Sequence, residues 1–258
     1  MDYAAIKLEI SDDVAVITLN RPDKMNALNS QMRAEITHAI KDAQTQSRVI
    51  VLTGAGPAFC SGQDLGDGGN AANLDLARVL RDEYVPMLNA MYDCPVPVIS
   101  AVNGPAVGAG ANLALGADVV IATESSYFMQ AFANIGLIPD AGGTWFLPRQ
   151  IGLAKAMGAA LFADKIPARK AADWGMIYEA IPDDGFDAYW RTRAAHLAQG
   201  PTETYLYIKQ ALRASQGNSL NDQLDLEAKL QGKCGRTRDF REGVMAFLEK
   251  RKPQFEGR

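Results

Sequence analysis

Apolar and polar side chains alternate along VAVITLN (Val14 to Asn20), a segment rich in β-branched residues, and predict a half-buried strand. The period then changes. In NSQMRAEITHAIKDAQ, Met32, Ile36 and Ile40 recur at helical spacing, with Asn29 or Ser30 placed to cap the first turn. RVIVLTGAG is a short apolar run closing on glycine, the pattern of a buried strand entering a turn. A helical stretch covers Leu74 to Tyr92 and stops before Pro95 and Pro97. PVISAVNG predicts another buried strand, which leads into a helix of small residues from about Gly108 to Leu115. DVVIAT and SSYFMQ read as further strands. Strands in traffic with helices in this way predict an α/β layered core.

Beyond about Asp187 the pattern is helical only. Asp187 to Gln199, Glu203 to Ser215, Leu220 to Leu230 and Arg238 to Lys250 are separated by Gly and Ser breaks. Apolar stripes on this tail, such as Leu220, Leu224 and Leu230, are expected to pack on the chain's own core or on another subunit. No repeat and no low-complexity linker divides the chain.

Composition narrows the class. In 258 residues, 48% apolar and 22% charged side chains predict a soluble globular chain of one large domain, or a domain with a small appendage. A net charge of −4 argues against nucleic acid or an anionic membrane as the main partner. Apolar runs such as VPVISAV are too short to span a bilayer, and MDYAAIKLEI lacks the order of a secretory leader. Cys60, Cys94 and Cys234 are scattered without CxxC spacing, which fits reduced thiols in a cytoplasm better than disulfides or a zinc site.

Conventional catalytic groups are scarce. The two histidines, His38 and His196, sit inside amphipathic helices, where a satisfied or solvent-facing role is expected. No Ser–His or Cys–His pair can be placed and no His/Glu metal spacing appears; without a GxGxxG helix opening or a P-loop lysine, redox-cofactor and nucleotide-hydrolysis readings lack support. Two glycine-bearing turns remain, FCSGQDL (Phe59 to Leu65) and NGPAVGAGANLALGAD (Asn103 to Asp118). The first bends sharply near Gly62. The second passes through Gly104 and Pro105 into a helix starting near Gly108, whose first amides lack intrahelical acceptors and carry the positive dipole end. Either turn alone is read as a tight turn. Two such amides converging on one point would hold a developing oxyanion.

FCSGQDL, then PVISAVNGPAVGAG, then GLIPDAGGTWFLPRQIG, together resemble the crotonase (enoyl-CoA hydratase/isomerase) superfamily. The resemblance runs from NRPDKMNAL (Asn20 to Leu28) to REGVMAFLEKRKPQF near the end of the chain. It implies a spiral of strand–strand–helix units, with a core over residues 1–196 and a helical trimerisation region over 197–258. It implies a homotrimer or a pair of trimers acting on acyl-CoA thioesters, with coenzyme A as part of the substrate and no separate cofactor. The oxyanion donors would be the backbone amides of Gln63 and Ala109. Substrate and CoA contacts would map to Lys24, Met25, Ala27, Ser61, Asp64, Leu65, Gly108, Asn112 and Phe132. Phe247 and Lys250 resemble positions that often reach CoA from a neighbouring subunit.

Hydratases of this superfamily carry two glutamates, and the pattern puts Asn112 and Phe132 at those places. Neither side chain can activate water or deliver a proton. Asp140, in LIPDAGGTW, is either a helix N-cap or a catalytic base. Phe128, Met129, Phe132, Ile138 and Trp145 would desolvate it and raise its pKa. A lone carboxylate beside an oxyanion hole suits proton shuttling along a conjugated thioester. GLIPDAGGTWFLPR, ADWGMIYEAI and FREGVMAFLEKRKPQF resemble the branch that rearranges 1,2-epoxyphenylacetyl-CoA in phenylacetate breakdown and shifts 3-enoyl-CoA to 2-enoyl-CoA, as fatty acid metabolism also requires. The alternatives are a residual hydratase, a non-catalytic acyl-CoA-binding relative, and an aromatic acyl-CoA dehalogenase. The last wants a histidine near the first glycine turn, and Phe59 to Cys94 contains none.

Overall fold

The structure, a computed structural model, describes residues 2–66 and 75–258. Its centre is a six-stranded sheet in the order β1-β2-β3-β4-β6-β9. The strands are β1 (Ile6–Ser11), β2 (Val14–Leu19), β3 (Val49–Gly54), β4 (Val98–Val102), β6 (Val119–Thr123) and β9 (Glu179–Ile181). Only β1 and β2 run antiparallel; the other neighbours are parallel. Parallel strands covered on both faces read as unbroken apolar runs, and β3 shows why. Ile50 and Leu52 enter the main core, while Val49 and Val51 face the opposite side, where Phe186, Trp190 and Ala194 cover them. A smaller sheet pairs β5 (Ala106–Val107) with β7 (Tyr127–Met129), and β7 with β8 (Ile166–Pro167).

Helices cover both faces. In α1 (Ser30–Ala43) the stripe Met32, Ile36 and Ile40 is buried, and the Asn29 side chain caps the helix by accepting from the Met32 N–H at 2.9 Å. The helical stretch expected from Leu74 runs as α2 (Leu76–Val79), a π-helical turn (Leu80–Tyr84) and α3 (Val85–Tyr92), with Leu74 itself outside the described residues. α4 (Ala109–Leu115) is the small-residue helix, buried throughout. α5 (Gly143–Phe162) is broken by non-helical Gly152 at φ +74° and is followed by the short α6 (Ala168–Asp173). The tail is helical as expected: α7 (Phe186–Ala198), α8 (Thr202–Ala214), α9 (Leu220–Cys234) and α10 (Arg238–Glu249).

The expected division between residues 196 and 197 falls inside α7, which packs on the sheet through Trp190. Leu220 and Leu224 are exposed, but Leu230 is buried in its own chain. His38 and His196 both face solvent, His38 accepting or donating through Nδ1 to the Tyr3 hydroxyl at 2.9 Å. Among the described residues no helix is long and apolar enough to cross a membrane.

Candidate active site

The first glycine turn is pinned along Leu28. The Leu28 N–H donates to the Gly62 carbonyl at 2.7 Å, and the Asp64 N–H donates to the Leu28 carbonyl at 3.1 Å. Backbone groups alternate in direction along an extended segment, so the N–H of Gln63 points away from Leu28. The second turn is registered by the Val107 N–H on the Cys60 carbonyl at 2.9 Å and the Gly108 N–H on the Met129 carbonyl at 2.8 Å. That leaves Ala109 as the first residue of α4, with an N–H that has no intrahelical acceptor. Gly62 lies at φ +97°, and a Cβ there would stand 2.8 Å from the Val107 oxygen and 3.5 Å from the Ala109 nitrogen. Glycine is what lets the two turns approach. Among the described residues neither the Gln63 nor the Ala109 N–H meets a protein acceptor, and both residues line one cavity of about 260 Å³.

Asp140 lines the same cavity and is the only carboxylate among the described residues to do so. It precedes two left-handed residues, Ala141 (φ +47°) and Gly142 (φ +82°), a tight reversal into α5. Its carbonyl accepts from the Gly143 N–H and from Asn112 Nδ2, each at 2.8 Å. Its Oδ1 is buried with no hydrogen-bond partner. Removal from water pushes the carboxyl up to about 6, into the range where it exchanges a proton near neutral pH. The side chain does not cap α5, whose N-cap is Gly142 without a side-chain bond, so the N-cap alternative does not hold.

The other sequence candidates divide. Ser61, Leu65, Gly108 and Phe132 line the cavity with Gln63, Ala109 and Asp140. Phe132 lays its ring over Gly108, where an added Cβ would lie 3.8 Å from the ring edge. Asn112, expected as a substrate contact, is not among the lining residues. It is fully buried, holding the Asp140 carbonyl and accepting from Gln130 Nε2 at 2.9 Å, and Gly143 leaves it room to do so. Asp64 sits beside the cavity with its carboxylate engaged by Arg21 Nη2 at 2.8 Å and by the Gly66 N–H. Burial opposes ionisation there, but these bonds hold the group below the usual carboxylate range. Lys24, Met25 and Ala27 do not line the cavity, but Ser61, which does, donates its N–H to the Met25 carbonyl and its hydroxyl to the Lys24 carbonyl. Phe247 and Lys250 are exposed on and after α10, and neither lines the cavity of its own chain.

The apolar wall also differs from expectation. Of the five residues expected to desolvate Asp140, only Phe132 lines the cavity; Ile138 and Trp145 are exposed, and Phe128 and Met129 lie in β7. Leu76, Val79, Leu80, Tyr84, Ile135 and Leu137 complete the wall. Sequence reasoning missed Asn26, whose buried amide bridges the Ala55 and Ala58 carbonyls and so fixes the approach to the first turn. It also missed Arg33 and Tyr84, which grip the Gln63 side chain. A buried arginine on the apolar side of an amphipathic helix was the available signal.

Residues 9–258 match the family model described as enoyl-CoA hydratase/isomerase. The chain belongs to the enoyl-CoA hydratase/isomerase family. It is 61% identical over 258 residues to a Rhodobacter capsulatus protein named "Probable enoyl-CoA hydratase", covering 100% of both chains. It is 44% identical over 254 residues to the 1,2-epoxyphenylacetyl-CoA isomerase of Escherichia coli, covering 96% of this chain and 97% of that one. The crystal structure of an enoyl-CoA hydratase from Bacillus anthracis superposes with a TM-score of 0.91 at 29% identity, over 99% of this chain and 100% of that one. The fold is thus that of the crotonase superfamily, and the chain is an enzyme of the hydratase/isomerase family. Among the described residues its cavity joins two unpaired amides to one carboxylate.

Proposed function

We propose that the protein is an acyl-CoA isomerase that moves a double bond from the 3- to the 2-position of an enoyl thioester, or rearranges 1,2-epoxyphenylacetyl-CoA by the same enolate chemistry. The observation that carries this reading is Asp140, the one carboxylate among the described residues that lines the cavity, which it shares with Gln63 and Ala109. The thioester carbonyl accepts from those two N–H groups. Ionised Asp140 takes a proton from the α-carbon, and the electron pair passes into the carbonyl to give a dienolate whose oxygen the amides hold. Asp140, now protonated, returns the proton at the γ-carbon. The double bond then lies between the α- and β-carbons, and the carboxylate is regenerated. Burial of Asp140 favours both halves, because a pKa near 6 lets one group act as base and then as acid. Phe132 and its apolar neighbours keep water from the dienolate.

A hydratase reading is favoured by the name of the Rhodobacter capsulatus relative. Water addition needs one group to activate water and another to deliver a proton, and the residues at the expected places are Asn112, buried beneath the cavity, and Phe132. We further infer a cytoplasmic trimer or pair of trimers, supported by the exposed apolar side chains of α9 and α10, with Phe247 and Lys250 serving a neighbour's CoA. The test is the rise in conjugated-thioester absorbance when 3-enoyl-CoA is mixed with the protein. The wild type is expected to produce it and Asp140→Asn to lose it by at least about a hundredfold. Conversion of 2-enoyl-CoA to a hydroxyacyl product at a comparable rate would favour the hydratase instead.

A further inference from the structure

Gln63 has a side chain that the oxyanion chemistry, which uses only its amide, does not require. That side chain is nonetheless fixed. Its Oε1 accepts from Arg33 Nη1 at 2.9 Å and from the Tyr84 hydroxyl at 2.6 Å. The same Arg33 Nη1 donates to the Leu28 carbonyl at 2.6 Å, the carbonyl that also receives the Asp64 N–H. Arg33 is buried, and its Nε and Nη2 are held by Glu83 Oε2 at 3.1 and 2.6 Å, while its guanidinium lies 4.8 Å from the centre of the Tyr84 ring. Glu83 and Tyr84 are adjacent in sequence, yet both turn toward one guanidinium. They do so at the end of the π-helical turn, where the Val85 N–H returns to the Leu80 carbonyl. The extra residue of a π-turn shifts the register of the helix face, and such turns recur at functional sites.

We propose that Tyr84 and Arg33 are positioning residues for the oxyanion hole, acting through the Gln63 side chain. Two donors on one carboxamide oxygen, one of them charged, fix the Gln63 side chain, and the Leu28 bridge fixes its backbone, so the N–H is held in a single direction. The π-turn helix is thereby tied to the loop that polarises the substrate, and the wall of the acyl cavity and the oxyanion donor move as one unit. Tyr84 lines the cavity itself, so an acyl group pressing on that wall bears on the same clamp.

This inference rests on the oxyanion reading, and a measurement of carbonyl polarisation separates the two. In infrared spectra of a 2-enoyl-CoA labelled with carbon-13 at the carbonyl, the wild-type band is expected to move to lower wavenumber on binding. Gln63→Leu and Tyr84→Phe are each expected to lose about half or more of that displacement and to lower kcat roughly ten- to a hundredfold, with KM within about threefold. Their thermal unfolding should stay cooperative. Asp140→Asn should keep the full displacement while losing turnover. A displacement and kcat unchanged in both clamp variants would overturn the proposal. A wild-type band that does not move would overturn the oxyanion reading and the clamp with it. Tyr84→Phe deletes one hydroxyl and keeps the ring, so it carries the test alone if Gln63→Leu does not fold.

Discussion

Asp140 sits on a turn that sets its backbone and leaves its Oδ1 buried without a hydrogen-bond partner, beside an apolar cavity. Its folded pKa of about 6 lies above the unfolded value of about 3.9, so the sign of its contribution is fixed. Between those values the folded chain keeps a proton that the unfolded chain has lost. Stability therefore falls as pH rises through that interval, and the penalty is complete above about pH 6. Asp140→Asn should raise the thermal midpoint by about 3 °C near pH 7.5, with the difference vanishing near pH 4 in a pH series of melts. Activity should run the other way, with kcat/KM rising through an inflection near pH 6 as the base ionises. Asn112→Leu removes the part-buried donor to the Asp140 carbonyl and the buried acceptor of Gln130. A loss of about 1–3 kcal/mol in denaturant unfolding is expected, together with a shifted pH profile. None of this network was legible from the sequence. Asn112 stands out only as a polar residue in a helix of small apolar ones, and its partners come from segments distant along the chain.

The elements that carry the site were legible where burial imposes a period or an unbroken apolar run. β3 and β4 are covered on both faces, and α1 shows its stripe, so each follows from the pattern of side chains. β5 and β8 are two residues long, and no period can declare them. α5 was hidden by its own breakers, since Gly143, Pro148 and Gly152 interrupt the helical pattern that the structure carries across a kink. β1 does alternate Ile6, Leu8 and Ile10 with Lys7 and Glu9, a signal overlooked when the N-terminus is searched only for a leader. The glycine turns were legible as turns, but their convergence was not, because it depends on the approach of Gly62 to Val107 and Ala109. Gly62→Ala should therefore cost about 10²–10³ in kcat while the far-ultraviolet circular dichroism stays unchanged. On the opposite face of the sheet, Trp190→Ala should cost about 3–5 kcal/mol by denaturant unfolding, because that side chain covers β3 and β4.

At the scale of the molecule, one chain does not cover all the apolar surface it builds. Leu220, Leu224, Phe240, Phe247 and Leu248 stand exposed on α9 and α10, with Phe247 82% accessible. Light scattering should report three or six copies, and Phe247→Glu with Leu248→Glu should reduce the assembly. Loss of CoA affinity in the same variant would follow if the last helix serves a neighbour's site. The proposed isomerisation rests on one carboxylate moving one proton between two carbons of a thioester. Proton exchange read by NMR in deuterium oxide tests this most directly, with 3-enoyl-CoA and 2-enoyl-CoA each incubated with the protein. Deuterium entering the α- and γ-positions with migration of the double bond, and lost in Asp140→Asn, is the predicted result. Binding of either thioester without exchange at those carbons would contradict it.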